Sequence, residues 1–227
     1  MKKRTILVVF LIGLMEFFSC YNTKNKSGVK KDSTKTQSIN SKDLLFTTPT
    51  LENALPDFEN KMDTTNLQFN EDDWRQIEFI AKTQKVFIDQ EMSKIKDIYD
   101  NYSQKIDTLT AFKKVAVREL IKQPLIVDFS KLKSYLMDGD NPIKGISLYN
   151  NPGQVRNGFS FTANGINYYG ILDDKNVKTF CIYSADSKQG LKASFTKLSK
   201  FLKDENLYIV DWRRMKVIDE NNIEGEF

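Results

Sequence analysis

Histidine is absent from the 227 residues of this chain, and cysteine occurs only twice. Without histidine there can be no His-dependent catalytic triad, no His-ligated zinc and no imidazole acid–base catalysis. The cysteines are also too few for a cysteine-rich metal site. An enzyme built from this chain would have to use Asp, Glu, Lys, Tyr or Ser side chains, or a metal held by oxygen ligands. The sequence itself predicts no cofactor.

Long apolar runs are missing from all of the chain except its N-terminus. There, the cationic residues 2–4 precede an almost unbroken apolar stretch over residues 6–14, and the small Ser19 stands directly before Cys20. These three parts are typical of a secretory signal peptide. The apolar stretch is too short for a comfortable membrane span, and no later segment approaches the ~18 apolar residues that a span needs.

The leader resembles that of a bacterial lipoprotein, in which the cysteine after the leader is acylated and becomes the new N-terminus. It departs from the common pattern at Phe17 and Phe18, where most such leaders carry Leu and a small residue. The resemblance implies lipidation of Cys20 and location in the cell envelope. Residues 21–24 lack the Asp associated with inner-membrane retention and the acidic run associated with surface export. We therefore expect an outer-membrane anchor that faces the periplasm.

Net charge gives little reason to expect a nucleic-acid partner. Removal of the leader lowers the formal net charge from +4 to +2, because the leader carries Lys2, Lys3, Arg4 and Glu16. Such a small excess is not the basic patch of a nucleic-acid-binding domain. The membrane, through the lipid, and another protein are the expected partners.

Composition divides the chain into four parts. Residues 1–19 are the signal peptide, and residues 20–45 are the lipidated cysteine followed by a polar segment rich in Lys, Ser, Thr and Asn. A segment with so few apolar residues is predicted to be a disordered tether with a reach of roughly 25–30 Å. Residues 46–69 are transitional, a short helix or an extended segment docked on the domain. Residues 70–227 are predicted to form a single domain.

Three helices are predicted from apolar residues that recur at intervals of three and four. The clearest covers about 84–104, with its inward face formed by Ile88, Met92, Ile95, Tyr99 and Tyr102. The second covers 129–137, and Asp128 is its expected N-cap. The third covers about 188–203, with Leu191, Phe195, Leu198 and Leu202 on one stripe.

Strand patterns are strongest over residues 145–184, which predict an antiparallel meander. Its centre is a hairpin with Asn164-Gly165 as the turn, a pair that favours two-residue hairpin loops. Further strands are expected at about 74–80, 115–121 and 207–212, the second of which could also be helical. Hairpins grouped together with helices at either side predict an α+β fold. Cys181 lies in one of these strands and is predicted to be a small buried side chain.

Two groups of residues are candidates for partner binding. Trp212, Arg213 and Arg214 follow the last strand, and Trp and Arg are enriched at binding hot spots. The alternative is structural, with Trp212 in the core and each arginine paired with an acid. Tyr168 and Tyr169 belong to the aromatic-rich hairpin, where strand alternation could leave one set of rings exposed on a sheet face.

Acidic clusters occur at predicted turns. Asp138-Gly139-Asp140-Asn141 resembles part of a calcium loop but lacks the later glycine and glutamate of an EF-hand. Residues 71–73 and Asp173-Asp174 could supply paired carboxylates for a hydrolase. Solvated turn residues are the plainer interpretation of all three, and no metal site is assigned.

The whole arrangement resembles in type the small lipoproteins that gram-negative bacteria carry beside secreted toxins. The resemblance implies a binding module, an immunity protein among the candidates, because blocking a toxin requires only a complementary surface. The alternative is an envelope hydrolase that uses carboxylates and an oxygen-ligated metal, with Asp138, Asp140, Asp173 and Asp174 as its first candidates.

Overall fold

The structure is a computed structural model that describes residues 45–61, 63–119, 121, 123–137, 139, 141–185 and 191–225. Its elements follow in chain order: β1 (Thr50–Glu52), β2 (Phe58–Glu59), β3 (Leu67–Phe69), β4 (Ile77–Ala81), α1 (Lys85–Tyr102), β5 (Ser103–Ile106), β6 (Leu109–Phe112), β7 (Ala116–Arg118), β8 (Val127–Asp128), α2 (Phe129–Leu136), β9 (Ile146–Leu148), β10 (Gln154–Val155), β11 (Gly158–Ala163), β12 (Ile166–Asp173), β13 (Asn176–Ala185), α3 (Leu191–Asp204), β14 (Leu207–Asp211) and β15 (Lys216–Ile218).

A seven-stranded antiparallel sheet organises the described residues. Its strand order is β11-β12-β13-β4-β14-β15. The seventh strand, β8, pairs with the N-terminal end of β13, whereas β4 pairs with β13 further along, at Cys181 and Ile182. Four two-stranded sheets surround it: β1-β7 and β3-β9 are parallel, while β2-β10 and β5-β6 are antiparallel. The antiparallel sheet and its separate helices confirm the predicted α+β class.

The predicted hairpin is present. β11 and β12 are joined by Asn164 and Gly165, with φ angles of 50° and 76°. Both residues lie in the left-handed region, which matches the right-handed twist of the flanking strands and explains the preference for Asn-Gly. In the next turn, between β12 and β13, Asp174 also has a positive φ, of 55°.

Both faces of the large sheet are covered, and strand alternation divides the core accordingly. On one face, α2 and α3 pack over a cluster that includes Phe79, Phe180 and Ile209. On the other face, α1 packs over Ile80 and Val210, and residues 58–74 with 146–155 pack over β12 and β13. The sheet is therefore the middle layer of three.

The three-layer arrangement corrects the expectation that one sheet face exposes its aromatic side chains. Tyr168 lies in the cluster beneath α2 and α3, and Tyr169 lies in the cluster on the opposite face. Both are buried, as are Phe159 and Phe161. Alternation does separate the two tyrosines, but each face has a covering layer that removes its rings from water.

Helix positions agree with the predictions, and their buried faces differ in detail. In α1 the buried residues are Ile88, Glu91, Ile95 and Ile98, while the predicted Met92, Tyr99 and Tyr102 pack at the edge of the cluster. Asp128 caps α2, because its carboxylate accepts a hydrogen bond of 2.9 Å from the Lys131 N–H. In α3, Phe195, Leu198 and Leu202 are buried as predicted.

The segment predicted as transitional is extended and pairs with distant parts of the chain. β1 pairs with β7, β2 with β10 and β3 with β9. Thr50 and Phe69 are fully buried. Residues 45–69 thus belong to the same compact unit as the rest of the described chain.

We predict that Gly170→Ala destabilises the protein by about 2–3 kcal/mol, the cost of overpacking a rigid site. A Cβ at Gly170 would collide with the Thr179 carbonyl oxygen and would lie 2.8 Å from the Phe159 ring. Urea denaturation of the variant and the parent protein measures the difference. A loss below about 0.5 kcal/mol, the range of ordinary surface changes, would contradict this account.

Candidate functional site

The predicted binding residues after β14 have structural partners. Trp212 is 1% exposed and belongs to the cluster beneath α1. Arg213 forms an ion pair with Asp73, and Arg214 forms one with Asp211. This is the structural alternative that the sequence left open. Tyr168 and Tyr169, the other candidates, are buried in separate clusters and form no common surface with these residues.

A buried ionic cluster lies beside Trp212 and is formed by Glu52, Arg75, Glu78 and Arg118. Arg75 donates from Nη1 to Glu52 Oε1 at 3.2 Å and from Nε to Glu78 Oε1 at 3.0 Å. Arg118 donates from Nη2 to Glu52 Oε2 at 3.4 Å. The four side chains are between 2% and 11% exposed. Their formal charges cancel, which is what permits such burial.

Backbone pairing brings the four charges together. Glu52 and Arg118 end their strands in register in the parallel β1–β7 pair. Glu78 points from β4 to the face that α1 covers, between the buried Cys181 and Val210 of its two neighbouring strands. Arg75 precedes β4 with a φ of 52°, and its N–H donates to the Tyr169 hydroxyl at 2.7 Å. This buried hydrogen bond holds an unfavourable backbone conformation in place.

Polar and aromatic groups complete the surroundings of Arg118. Its Nη1 donates to Thr50 Oγ1 at 3.1 Å, and its Nη2 also donates to the Arg75 carbonyl at 2.8 Å. The guanidinium carbon lies 5.1 Å from the centroid of the Trp212 ring, within the range of a cation–π contact. Arg118 therefore ties β1, the turn before β4 and the end of β14 together.

Burial and the charges of neighbouring side chains both shift the pKa values within the ionic cluster. It raises the pKa of the Glu52 carboxyl to about 7, although Arg75 acts in the opposite direction. Burial also lowers the pKa of Arg118. The pKa of Arg75 is raised, because Glu78 and Glu52 together outweigh the effect of burial. Each charged group has a partner, so the ionic cluster is suited to holding the fold together.

Cys181 lies next to the ionic cluster and is the small buried side chain that the sequence predicted. It is fully buried and unpaired by any disulfide. Burial raises the pKa of its thiol well above the ordinary value, and nearby Glu78 acts in the same direction. A thiol in this environment is protonated and unreactive.

An open groove of about 410 Å³ lies beside the ionic cluster. Arg75 and Trp74 line its floor, and Leu55, Asp57, Arg156, Asp173 and Lys178 are among the residues of its walls. Leu55 is 38% exposed there. Arg156 and Lys178 are exposed, and neither forms an ion pair with another described residue. The volume is within the range of small-ligand sites.

The predicted acidic candidates are scattered. Asp173 lies at the groove, and its neighbour Asp174 occupies the exposed turn after β12. Asp138 and Asp140 lie outside the described residues. Among the residues that the structure does describe, no three cysteine or carboxylate side chains come close enough to hold a metal ion.

The acidic run at residues 71–73 forms a turn with separate partners. Glu71 accepts a hydrogen bond from Asn151 Nδ2 at 2.6 Å, and Asp73 is paired with Arg213. Burial raises the pKa of Asp72, and its neighbours Asp73 and Glu71 act in the same direction. The carboxylates of Glu71 and Asp73 therefore support the turn before β4.

The ionic cluster was not predicted from the sequence, although one signal of it was present. Glu78 is the second residue of the strand Ile-Glu-Phe-Ile-Ala, and Arg118 ends the strand Ala-Val-Arg. A charged residue within a short apolar strand pattern is a candidate for a buried pair, since strands with both faces covered rarely tolerate an unpaired charge.

No family model matches the chain, and no curated protein and no solved structure matches it significantly. The helices within the described residues include none that is long and apolar enough to cross a membrane.

We predict that Arg118→Ala destabilises the protein by about 3–5 kcal/mol, because it leaves the buried Glu52 with one arginine fewer. Arg156→Ala is the matched control, since that arginine is exposed and makes no ion pair with the described residues. The control should change the free energy of unfolding by less than about 0.5 kcal/mol. Urea denaturation measures the free energy of unfolding of both variants. Equal losses in the two would mean that Arg118 contributes no more to stability than an exposed arginine does.

Proposed function

We propose that the mature chain is anchored at the cell envelope by a lipid on Cys20 and that its domain acts by binding another protein. Within this class we favour an immunity protein that blocks a toxin delivered into the periplasm. The leader and the polar tether support the anchor. The location that follows is the outer membrane, with the domain facing the periplasm.

The observation that carries the binding role is the wall of the groove. Exposed charges that form no ion pair with another described residue, beside an exposed aliphatic side chain, offer complementary contacts to another protein. Arg156, Lys178 and Leu55 have these properties. Trp74 and Arg75 also line the groove, and Arg75 is held by its ion pairs with Glu52 and Glu78. A preorganised surface of this kind loses little entropy when it binds.

The anchor can be tested apart from the binding role. Cys20→Ala should abolish the mass added by acyl chains and release the protein from the membrane fraction, because each buried methylene of an acyl chain contributes about 0.8 kcal/mol. The domain should remain folded, since Cys20 precedes the compact unit. Mass spectrometry and membrane fractionation provide the readouts. A mature N-terminus other than position 20 would contradict the anchor.

The binding role can be tested with the product of a toxin gene adjacent to the gene for this chain. The full chain should protect a susceptible gram-negative host against that toxin. The double variant Arg156→Glu, Lys178→Glu should bind the toxin about tenfold or more weakly, because like charges then face each other across the interface. Binding of the purified proteins and survival of the host are both measured.

The matched control is Lys61→Glu, Lys203→Glu, which makes the same change in net charge at exposed residues that do not line the groove. It should bind as the parent protein does. Equal weakening in both double variants would assign the effect to net charge alone. A chain that gives no protection, or that has no neighbouring toxin gene, would overturn the immunity role.

A further inference from the structure

A two-stranded ribbon, formed by β5 and β6, projects from the domain. Its strands pair with each other over four residue pairs, and among the described residues the one further pairing is a bridge from Phe112 at the base to Phe46. Residues 105–110 are all exposed, whereas Ala111 and Phe112 at the base are buried, and Phe112 belongs to the cluster beneath α1. The base is therefore fixed, and the outer half of the ribbon is covered by none of the described residues.

The tip of the ribbon carries two exposed aliphatic side chains. Leu109 is 71% exposed and Ile106 is 45% exposed. They are direct cross-strand partners, so their side chains lie together on one face of the ribbon. Between them, Asp107 turns the chain with a φ of 53°. Ile106 and Leu109 are adjacent on one face, unlike the exposed aliphatic side chains elsewhere on the surface, so the tip offers a small apolar surface to a partner.

The place where the described residues begin indicates what that partner is. Phe46 and Phe112 exchange two backbone hydrogen bonds of 2.8 and 2.9 Å, so the first described residues join the domain at the base of the ribbon. Leu109 is three residues from that point, or about 10 Å along the strand. The predicted tether has a root-mean-square reach of roughly 25–30 Å. The base of the ribbon is thus held, on average, within about that distance of the membrane that would hold Cys20.

The charges around the ribbon favour a lipid surface over an apolar cleft. Lys105 lies within the ribbon, and Lys113 and Lys114 follow it, whereas Asp107 is its single acidic residue. The Lys114 ammonium lies 4.0 Å from the centroid of the Tyr102 ring. Lysines and an aromatic ring beside exposed aliphatic side chains are typical of segments that lie at a membrane interface.

We propose that the tip of this ribbon contacts the membrane surface, with Ile106 and Leu109 in the headgroup layer and the three lysines against anionic lipid. The contact is shallow, because the unpaired strand edges of a ribbon cannot enter the hydrocarbon. This inference rests on the proposed anchor, which keeps the domain at the membrane. It gives the tethered domain a preferred orientation.

The test uses the mature chain with Cys20→Ser, which cannot be acylated, and vesicles of phosphatidylethanolamine with phosphatidylglycerol. The protein should sediment with these vesicles, less so at high salt. The variant Ile106→Asp, Leu109→Asp should partition about tenfold or more weakly, because two aliphatic contacts are lost. The lysines of the tether are the same in every variant and do not affect the comparison.

Val86→Asp, Ile126→Asp is the matched control, since these aliphatic side chains are 70% and 76% exposed elsewhere on the surface. It should partition as the parent does, and thermal denaturation should show all variants folded. The proposal would be overturned if the ribbon variant partitioned to vesicles as well as the parent does. It would also be overturned if the control lost as much binding to vesicles as the ribbon variant. A ribbon variant that binds vesicles normally but no longer binds the toxin would assign the ribbon to a protein contact instead.

The two proposals fail separately in these experiments. Every vesicle sample lacks the acyl chains, so its result depends on the ribbon and not on processing of the leader. A wild-type protein without added acyl mass would remove the anchor, whatever the vesicles show.

Discussion

The ion pair of Arg118 with Glu52, together with the hydrogen bonds of the same guanidinium, is the constraint on which one side of this fold depends. The covering layer over the α1 side of the sheet is assembled from short strands, β1, β2, β3, β7, β9 and β10, of two or three residues each. Strands this short make few backbone hydrogen bonds and are not stable by themselves. Arg118 connects β1 to the turn at Arg75 and packs on Trp212. A single charged side chain thus joins three parts of the layer.

This arrangement is specific as well as stabilising. Replacing a buried ion pair by apolar residues of similar volume is often neutral for stability, whereas removing one partner is costly. Directed contacts matter here because both arginines contact Glu52, and Arg75 also contacts Glu78 on another segment. An apolar cluster could slide between several packings, while these hydrogen bonds fix one register of β1 against β7.

The parts of the fold that could be predicted from the sequence are those with local causes. α1, α2 and α3 follow from apolar spacing along one segment, and the Asn164-Gly165 hairpin follows from the φ angles that two residues can adopt. The ionic cluster has no such local cause, because Glu52 and Arg118 are 66 positions apart. Burial of Tyr168 and Tyr169 was missed for a related reason: alternation separates the faces of a strand, but only the rest of the chain decides which faces are covered.

The candidate site can likewise be predicted only where neighbouring residues in the sequence determine it. The leader and the cysteine at position 20 are continuous in sequence, so a hypothesis about location needs no knowledge of how distant residues come together. The groove is formed by residues around positions 55, 74, 156, 172 and 178, which no local pattern relates. Arg75 lies in both the groove floor and the ionic cluster, so the surface proposed to bind a partner is held by the same charges that hold the covering layer. A substitution in the ionic cluster would therefore alter binding through the shape of the groove, whereas the charges at Arg156 and Lys178 can change without loss of the fold.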